Sequence, residues 1–436
     1  MIPFSLILLA SVLATSASPD TAVRRLSLHD AVALAQQNAP AVVHATGQTR
    51  ATAASVRAAY GAFLPSLSVS AGANRQLPAR GGQVPGEGGQ LITLSPDPWS
   101  YSTGLSANVG LFEGGQRFFA LQQSHAQADA ATVDLGEQRR LAALAAKQQF
   151  YDVMASIDLE AAAQAQLEQS QQQLAMSVLH LKARTVTRSD SLRSEILVHN
   201  ARLALTQART SRNQADASLT RVVGTPYPVT AAEGDSVDET TTLPDDATLR
   251  QLAIAGPTVR HAEALRRAAR ASLHIVWAGY LPSVTASYSR GGSGTADHFA
   301  VSGVGLRYTG ALRLSVSMPV FDQFQRASQT AQARASLDDA EASCRDAELA
   351  ALESLVQWLG AYRAADERVE LQSATVEAAD EDLREHAAQY KVGSTTMLDV
   401  LTSRTTLDQA RHDLIQARYD RRIARAQLEA LIGRSL

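Results

Sequence analysis

The sequence predicts a mixed fold of long α-helices and transmembrane β-strands, duplicated within the chain. Four membrane strands per chain contribute to a trimeric 12-strand β-barrel, and the long helices belong to a barrel or bundle built from several copies. Three observations predict it. The 436-residue chain repeats its own landmarks at a nearly constant offset. Each repeat carries two alternating polar/apolar segments, followed by a very long stretch without proline. Finally, four strands are too few to close a barrel alone, because about eight is the smallest closed form with a filled interior.

The order of elements begins with a leader. Residues Pro3 to Ala14 are apolar, and Thr15-Ser16-Ala17 then precedes Ser18-Pro19-Asp20. A short apolar core followed by small residues is the pattern of a removable signal peptide, taken as residues 1–17. No later apolar run approaches the roughly 20 residues that a membrane-spanning helix needs. Any crossing of a membrane must therefore use strands.

An offset of 217 superposes Pro40 on Pro257 and Leu64-Pro65-Ser66 on Leu281-Pro282-Ser283. An offset of 209 then takes over. It superposes LFEGGQR (Leu111 to Arg117) on VFDQFQR (Val320 to Arg326), Thr187 and Asp190 on Thr396 and Asp399, and Gly224 on Gly433. The offset changes across residues 74–99, a Gly/Pro-rich stretch that includes GGQVPGEGGQ. Insertions collect in exposed loops, so this stretch reads as an external loop matched by 291–305 in the second copy. The first repeat is 18–224, a linker covers 225–248, and the second repeat is 249–436.

Each repeat opens with a helix, Ser27 to Phe63 and Leu249 to Tyr280, interrupted near Pro40 and Pro257. Strands are expected at 64–73 and 100–112, then at 281–290 and 306–321. Helical hairpins follow at 116–223 and 325–432, where strong helix formers run without proline. The break in the second hairpin is YKVGSTT, where Gly393 can end a helix and Thr396 with Asp399 can open the next as a capping box. The first hairpin repeats the box with Thr187 and Asp190, with Arg184 in place of the glycine. Such hairpins cannot form a globular core alone and require lateral neighbours from other copies.

The strands decide the solvent. Near Gly310, Tyr308, Leu312, Leu314, Val316, Met318 and Val320 share one face, against Arg307, Thr309, Arg313, Ser315 and Ser317. Tyr101, Leu105, Val109 and Leu111 are expected to share a face in the same way. These segments suit strands that cross lipid, which need roughly 9–11 residues. An ordinary sheet packed on helices gives the same alternation. Lipid is favoured because few bulky residues remain to cover the sheet and the leader exports the chain. Unpaired strand edges are not tolerated in hydrocarbon, so closure is shared among chains. Two chains would leave no pore, whereas three give a lumen lined by Ser, Thr, Asn and Arg.

These residues resemble the TolC-type outer membrane factors of bacterial efflux and type I secretion. The most specific matches are the LPS-plus-strand units, the LFEGGQR and VFDQFQR junctions, and the closing run from YKVGSTTMLDVL to LIG. The resemblance implies an outer membrane channel of a tripartite efflux or type I secretion system, extending into the periplasm. Such a channel is a homotrimer in outer membrane lipid, its β-barrel continued by a long periplasmic α-helical barrel. It docks a periplasmic adaptor (membrane fusion protein) and an inner-membrane transporter. The resemblance also implies a constriction at the periplasmic tip, near Asp190, Tyr390, Thr395, Asp399 and Thr402. Thr395 stands where the family archetype has Arg, and Thr402 where it has a second acid, which puts an ion-pair latch in doubt. Asp190 and Asp399 read equally as helix-start carboxylates, and Tyr390 equally as a helix-packing residue.

Other functions find no residues to carry them. With 40 basic and 43 acidic side chains, the net charge of −3 offers no polycationic surface for nucleic acid. One cysteine, Cys344, excludes an internal disulfide. There is no GxSxG elbow, no phosphate-binding loop ending in Gly-Lys-Ser/Thr and no HExxH. The expectation is therefore a protein without catalytic residues, cofactor or metal. The alternative is a periplasmic coiled-coil scaffold or adaptor without a pore, its strands forming a soluble sheet.

Overall fold

A computed structural model describes residues 23–75, 83–85, 91–93, 99–183, 187–232, 243–296, 298–392 and 394–434. The leader, Arg184, Gly393, most of the Gly/Pro-rich loop and residues 233–242 lie outside the described residues. The chain forms two compact units that cut across the repeats. One takes Met1–Thr46, Leu135–Pro257 and Leu349–Leu436, and the other takes Gly47–Asp134 and Thr258–Glu348. They are called here the hairpin unit and the sheet unit.

The helices keep the predicted offset. α1 (Leu28–Asn38) and α2 (Pro40–Gly61) are answered by α5 (Asp246–Ile254) and α6 (Pro257–Ala278). α3 (Gln116–Lys182) and α4 (Arg188–Val223) are answered by α7 (Gln325–Lys391) and α8 (Met397–Ile432), with every boundary displaced by 209. At 67 residues, α3 and α7 are each about 100 Å long. Proline opens α2 and α6, where its missing N–H costs nothing. Gly224 and Gly433 close α4 and α8 with φ of 70° and 80°, the left-handed conformation that glycine adopts without a Cβ penalty.

Within the hairpin unit the duplication extends to the core. Phe150, Leu219 and Val223 meet in one apolar cluster. Their counterparts Leu359, Leu428 and Ile432 meet in another. Nearer the hairpin turns, Leu167, Val198 and Ala201 pack together, and so do Val376, Leu407 and Ala410. Many of the remaining buried residues on α3 and α7 are alanine, which leaves little side-chain bulk between helices. The stretch read as a linker also contains structure. β6 (Val229–Ala231) pairs in parallel with β1 (Arg24–Leu26), and all three β6 residues are buried. Three-residue strands show no usable periodicity, which is why the sequence hid them. The helix expected from Leu249 starts earlier, at Asp246.

The sheet unit holds an antiparallel four-stranded sheet in the order β2 (Ser66–Asn74), β5 (Trp99–Glu113), β7 (Ser283–Ala296) and β8 (Arg307–Ser317). Two short strands, β3 (Gln83–Pro85) and β4 (Leu91–Thr93), pair within the segment read as the first external loop. β7 runs to Ala296, well into the segment read as the second loop. Its glycines serve close packing within the sheet. A Cβ on Gly292 would lie 2.7 Å from both Thr103 Oγ1 and Tyr308 Cε1. β8 ends at Ser317 rather than 321, because Pro319 has no N–H to give the ladder. Strict alternation also fails at the foot of β5. A bulge between Gly110 and Phe112 places Phe112, not Leu111, opposite Val284.

The strand-to-helix junctions repeat in geometry more than in sequence. In the first, Gly114 and Gly115 have φ of 62° and 84°; in the second, Gln323 and Phe324 take the same positions with φ of 55° and 65°. Beside each turn an arginine closes onto an acid four residues earlier. Arg117 Nε lies 3.0 Å from Glu113 Oε2, and Arg326 Nε lies 2.6 Å from Asp322 Oδ2. Each arginine also lies over the ring that precedes its repeat's strands, Arg117 at 6.0 Å from Phe63 and Arg326 at 4.9 Å from Tyr280.

Two substitutions test this junction. Gly114→Ala places a Cβ 2.5 Å from the Ala278 carbonyl oxygen at a positive φ. It should destabilise the fold by about 1–3 kcal/mol. Gln323→Gly relieves a left-handed side chain and should stabilise by up to about 1 kcal/mol. Thermal unfolding of the two purified variants checks the opposite signs.

Candidate functional site

Two regions carry the features that matter, the faces of the sheet and the tips of the hairpins. On the sheet, Val69 is 78% exposed, Leu312 80% and Val316 70%. Leu67 and Leu314 share that face and are also exposed. In a soluble sheet this face would be covered by helices, because contiguous bare apolar patches of this extent are not left to water. The opposite face is small and polar. Across the sheet Ser68 meets Ser106, their hydroxyl oxygens 2.6 Å apart, and Ser106 meets Ser289. Aromatic side chains gather at both ends. Trp99 and Tyr101 meet the Phe299 ring at one end, with centroids 5.1 and 6.5 Å away. Phe321 and Phe324 meet at 5.7 Å at the other. Tyr101 ties down the segment after β7, accepting from Ala300 N at 2.7 Å and donating to the His298 carbonyl at 3.3 Å.

At the hairpin tips both capping boxes form. Thr187 Oγ1 accepts from Asp190 N at 3.3 Å, and Asp190 Oδ2 accepts from Thr187 N at 3.1 Å. Thr396 and Asp399 repeat this at 3.4 and 2.9 Å. The second box has a third arm, because Thr395 Oγ1 donates to Asp399 Oδ2 at 2.9 Å. Hydrogen bonds from the Thr396 hydroxyl first, then from its N–H and from Thr395, hold the Asp399 carboxyl at a pKa of about 2. Asp190 is lowered as well, chiefly by the Thr187 hydroxyl. Tyr390 is half-buried, and its hydroxyl pKa is raised by that burial and then by the nearby Asp190 carboxylate. The structure thus brings Tyr390 to Asp190, and Thr395 to Asp399. Thr402 stands apart from both pairs, exposed and donating to the Leu398 carbonyl at 2.9 Å.

A further group lies higher on the helices, and the sequence reading did not single it out. Arg404 donates to Gln169 Oε1 at 3.0 Å, and Gln166 Nε2 donates to Asp408 Oδ2 at 2.8 Å. Burial raises the Asp408 pKa and lowers that of Arg404. These side chains link α8 to α3 and so join one hairpin to the other. On α8 alone they look like an ordinary exposed i, i+4 pair. Only the packing of α3 against it makes them half-buried. Among the described residues, no group of three or more His, Cys, Asp or Glu is arranged to hold a metal ion.

With that geometry in place, the comparisons are specific. The family model described as "Outer membrane efflux protein" matches residues 31–225 and 248–434, one block in each repeat. Protein CyaE of Bordetella pertussis (strain Tohama I) is 27% identical over 337 residues, 74% of this chain and 66% of CyaE. Outer membrane protein TolC of Escherichia coli (strain K12) is 25% identical over 307 residues, 65% of this chain and 59% of TolC. The chain therefore matches less than two thirds of the length of either relative. Among solved structures, CusC, described as undergoing conformational changes that accompany folding and transmembrane channel formation, shares the fold at a TM-score of 0.79. That likeness covers 95% of this chain and 94% of the other at 16% identity.

The capping geometry predicts a definite pH dependence. Asp399 has a folded pKa of about 2, below the unfolded value of about 3.9. Its contribution to stability is therefore fully present above about pH 5 and is lost as pH falls through about 4 toward 2. The difference in melting temperature between the native protein and Asp399→Asn should be constant from pH 7 to 5 and should shrink below pH 4. A difference already shrinking at pH 6, or unchanged at pH 2, contradicts the capping role. Thr187→Ala or Thr396→Ala should each cost about 1 kcal/mol in the same unfolding assay.

Proposed function

The chain belongs to the outer membrane efflux protein family, and from that premise we propose that it is the outer membrane channel of a tripartite efflux or type I secretion system. In this reading three chains share one barrel, and their helices continue it as a periplasmic duct for passive export. The observation that carries it is the bare apolar face of a sheet that has four strands and two open edges. Lipid covers that face, and sister chains cover the edges. The scaffold alternative needs the sheet to be soluble, and the exposure of Val69, Leu312 and Val316 removes it.

The duct moves cargo only as part of a larger assembly. A periplasmic adaptor and an inner-membrane transporter supply engagement and energy. The hairpin tips form the periplasmic constriction, with Asp190, Tyr390, Thr395, Asp399 and Thr402 around it. Support comes from the Asp190 carboxylate being near enough to raise the Tyr390 hydroxyl pKa, which puts the end of α7 in the neighbourhood of the start of α4. Both tip carboxylates are engaged by their own threonine caps. That leaves them little capacity to latch a neighbouring chain, so the tip is polar but weakly locked.

Purified protein in planar bilayers should insert as trimers and give discrete pores. Monomers without conductance, or protein recovered only in the soluble periplasmic fraction, would overturn the channel reading. Asp399→Ala should change single-channel conductance by less than about twofold, since it removes one screened charge per chain. A several-fold rise would show that this single acid is a principal latch.

A further inference from the structure

We propose that the barrel lumen attracts anions through two rings of arginine, formed by Arg313 and Arg307, and that anionic solutes are the class it favours. The inference rests on the three-chain barrel reading above and adds a charge selectivity to it.

The register assigns the faces. β8 places Leu312, Leu314 and Val316 on the exposed apolar face, so Arg307 and Arg313 stand on the other. In a barrel whose apolar side meets lipid, that other face lines the lumen. Each arginine ends a row of small neutral residues across the sheet. Arg313 is opposite Ser287, which pairs with Asn108, which pairs with Ser66. Arg307 is opposite Ser293, which pairs with Ser102, which pairs with Gly72. Both guanidinium-bearing side chains are exposed, and none of their row neighbours carries charge.

Acid is missing from the same surface. The four strands contain a single carboxylate, Glu113 at the foot of β5. That carboxylate is already held by Arg117, at 3.0 Å from both Nε and Nη2. The third strand arginine, Arg290, belongs to the apolar face, where it lies 5.5 Å from the Tyr308 ring, and it adds nothing to the lumen. The two lumen arginines are six positions apart on one strand, about 20 Å along it, so in a barrel of tilted strands the rings are about 15 Å apart along the axis.

Three chains then give three guanidinium groups at each of two heights, with no carboxylate between them. Arginine keeps its charge at every working pH and binds carboxylate and phosphate oxygens in a two-pronged geometry. Rings of basic side chains are the arrangement found in pores for anions and phosphate. A unit charge about 10 Å from the pore axis changes local ion concentration about twofold in water. Two rings therefore bias the lumen measurably at moderate salt.

The test uses full-length protein in planar bilayers under a KCl gradient, with inorganic triphosphate as an anionic probe added from the strand end. The native pore should show a current block by triphosphate. The double variant Arg307→Ser/Arg313→Ser should lose that block and lower the chloride-to-potassium permeability ratio at least about twofold. Arg307→Lys/Arg313→Lys should retain both properties. A trimeric serine variant with unchanged ratio and block would overturn the inference while leaving the channel reading intact. Native pores indifferent to triphosphate would overturn it without any variant, should the serine variant fail to assemble. Native protein that forms no pore would remove the channel reading itself, and the arginine rings with it.

Discussion

The unpaired edge of a β-sheet is the constraint on which everything else here depends. β2 and β8 each offer a row of backbone groups to the surroundings, and hydrocarbon has nothing to bond them with. Each unsatisfied group costs several kcal/mol in lipid, so a spanning sheet must close. Four strands cannot curl into a barrel of their own. The apolar face forbids the soluble solution, because it would leave Val69 and Leu312 bare to water. Closure among copies satisfies both demands together. In the proposed trimer this closure is a head-to-tail contact, β8 of one chain on β2 of the next, and such contacts form rings when the rotation closes.

The same constraint reaches into the helices. A shared barrel hands each chain's strands to helices at two junctions, and each junction changes from strand to helix within a few residues. The left-handed pair Gly114-Gly115 does this without side-chain strain, while Gln323-Phe324 does it with two side chains at positive φ. What the two junctions share is the arginine that closes onto the preceding acid and lies over an aromatic ring. Function at the junction thus survives a change of both turn residues, because the ion pair and the ring contact fix the geometry that glycine would otherwise permit. In the hairpins, the paired clusters around Phe150 and Leu359 show the same plan at two positions with different side chains.

Much of this was legible in the residues. The repeat and its proline-free runs of strong helix formers foretold the long helices, because such runs leave few alternatives. The capping boxes at Thr187 and Thr396 followed from spacing alone and formed as read. The limits were equally physical. Gly291 to Gly294 read as a loop, because a sequence cannot say that Tyr308 and Thr103 will occupy the space a side chain needs. β1 and β6 are too short to show a period. The Arg404 and Asp408 group gains its character from α3, which lies far away in sequence. Tyr390 and Asp190 were chosen separately, and the electrostatic influence of one on the other is a property of two hairpins side by side.

The most direct test of shared closure is covalent. With Cys344→Ala as background, Leu67→Cys on one edge strand and Leu312→Cys on the other are joined with a short bis-maleimide in native outer membranes. Head-to-tail closure predicts a ladder of one, two and three linked chains on a denaturing gel, ending at three. A product linked only within single chains, or a ladder that climbs past three, would contradict it.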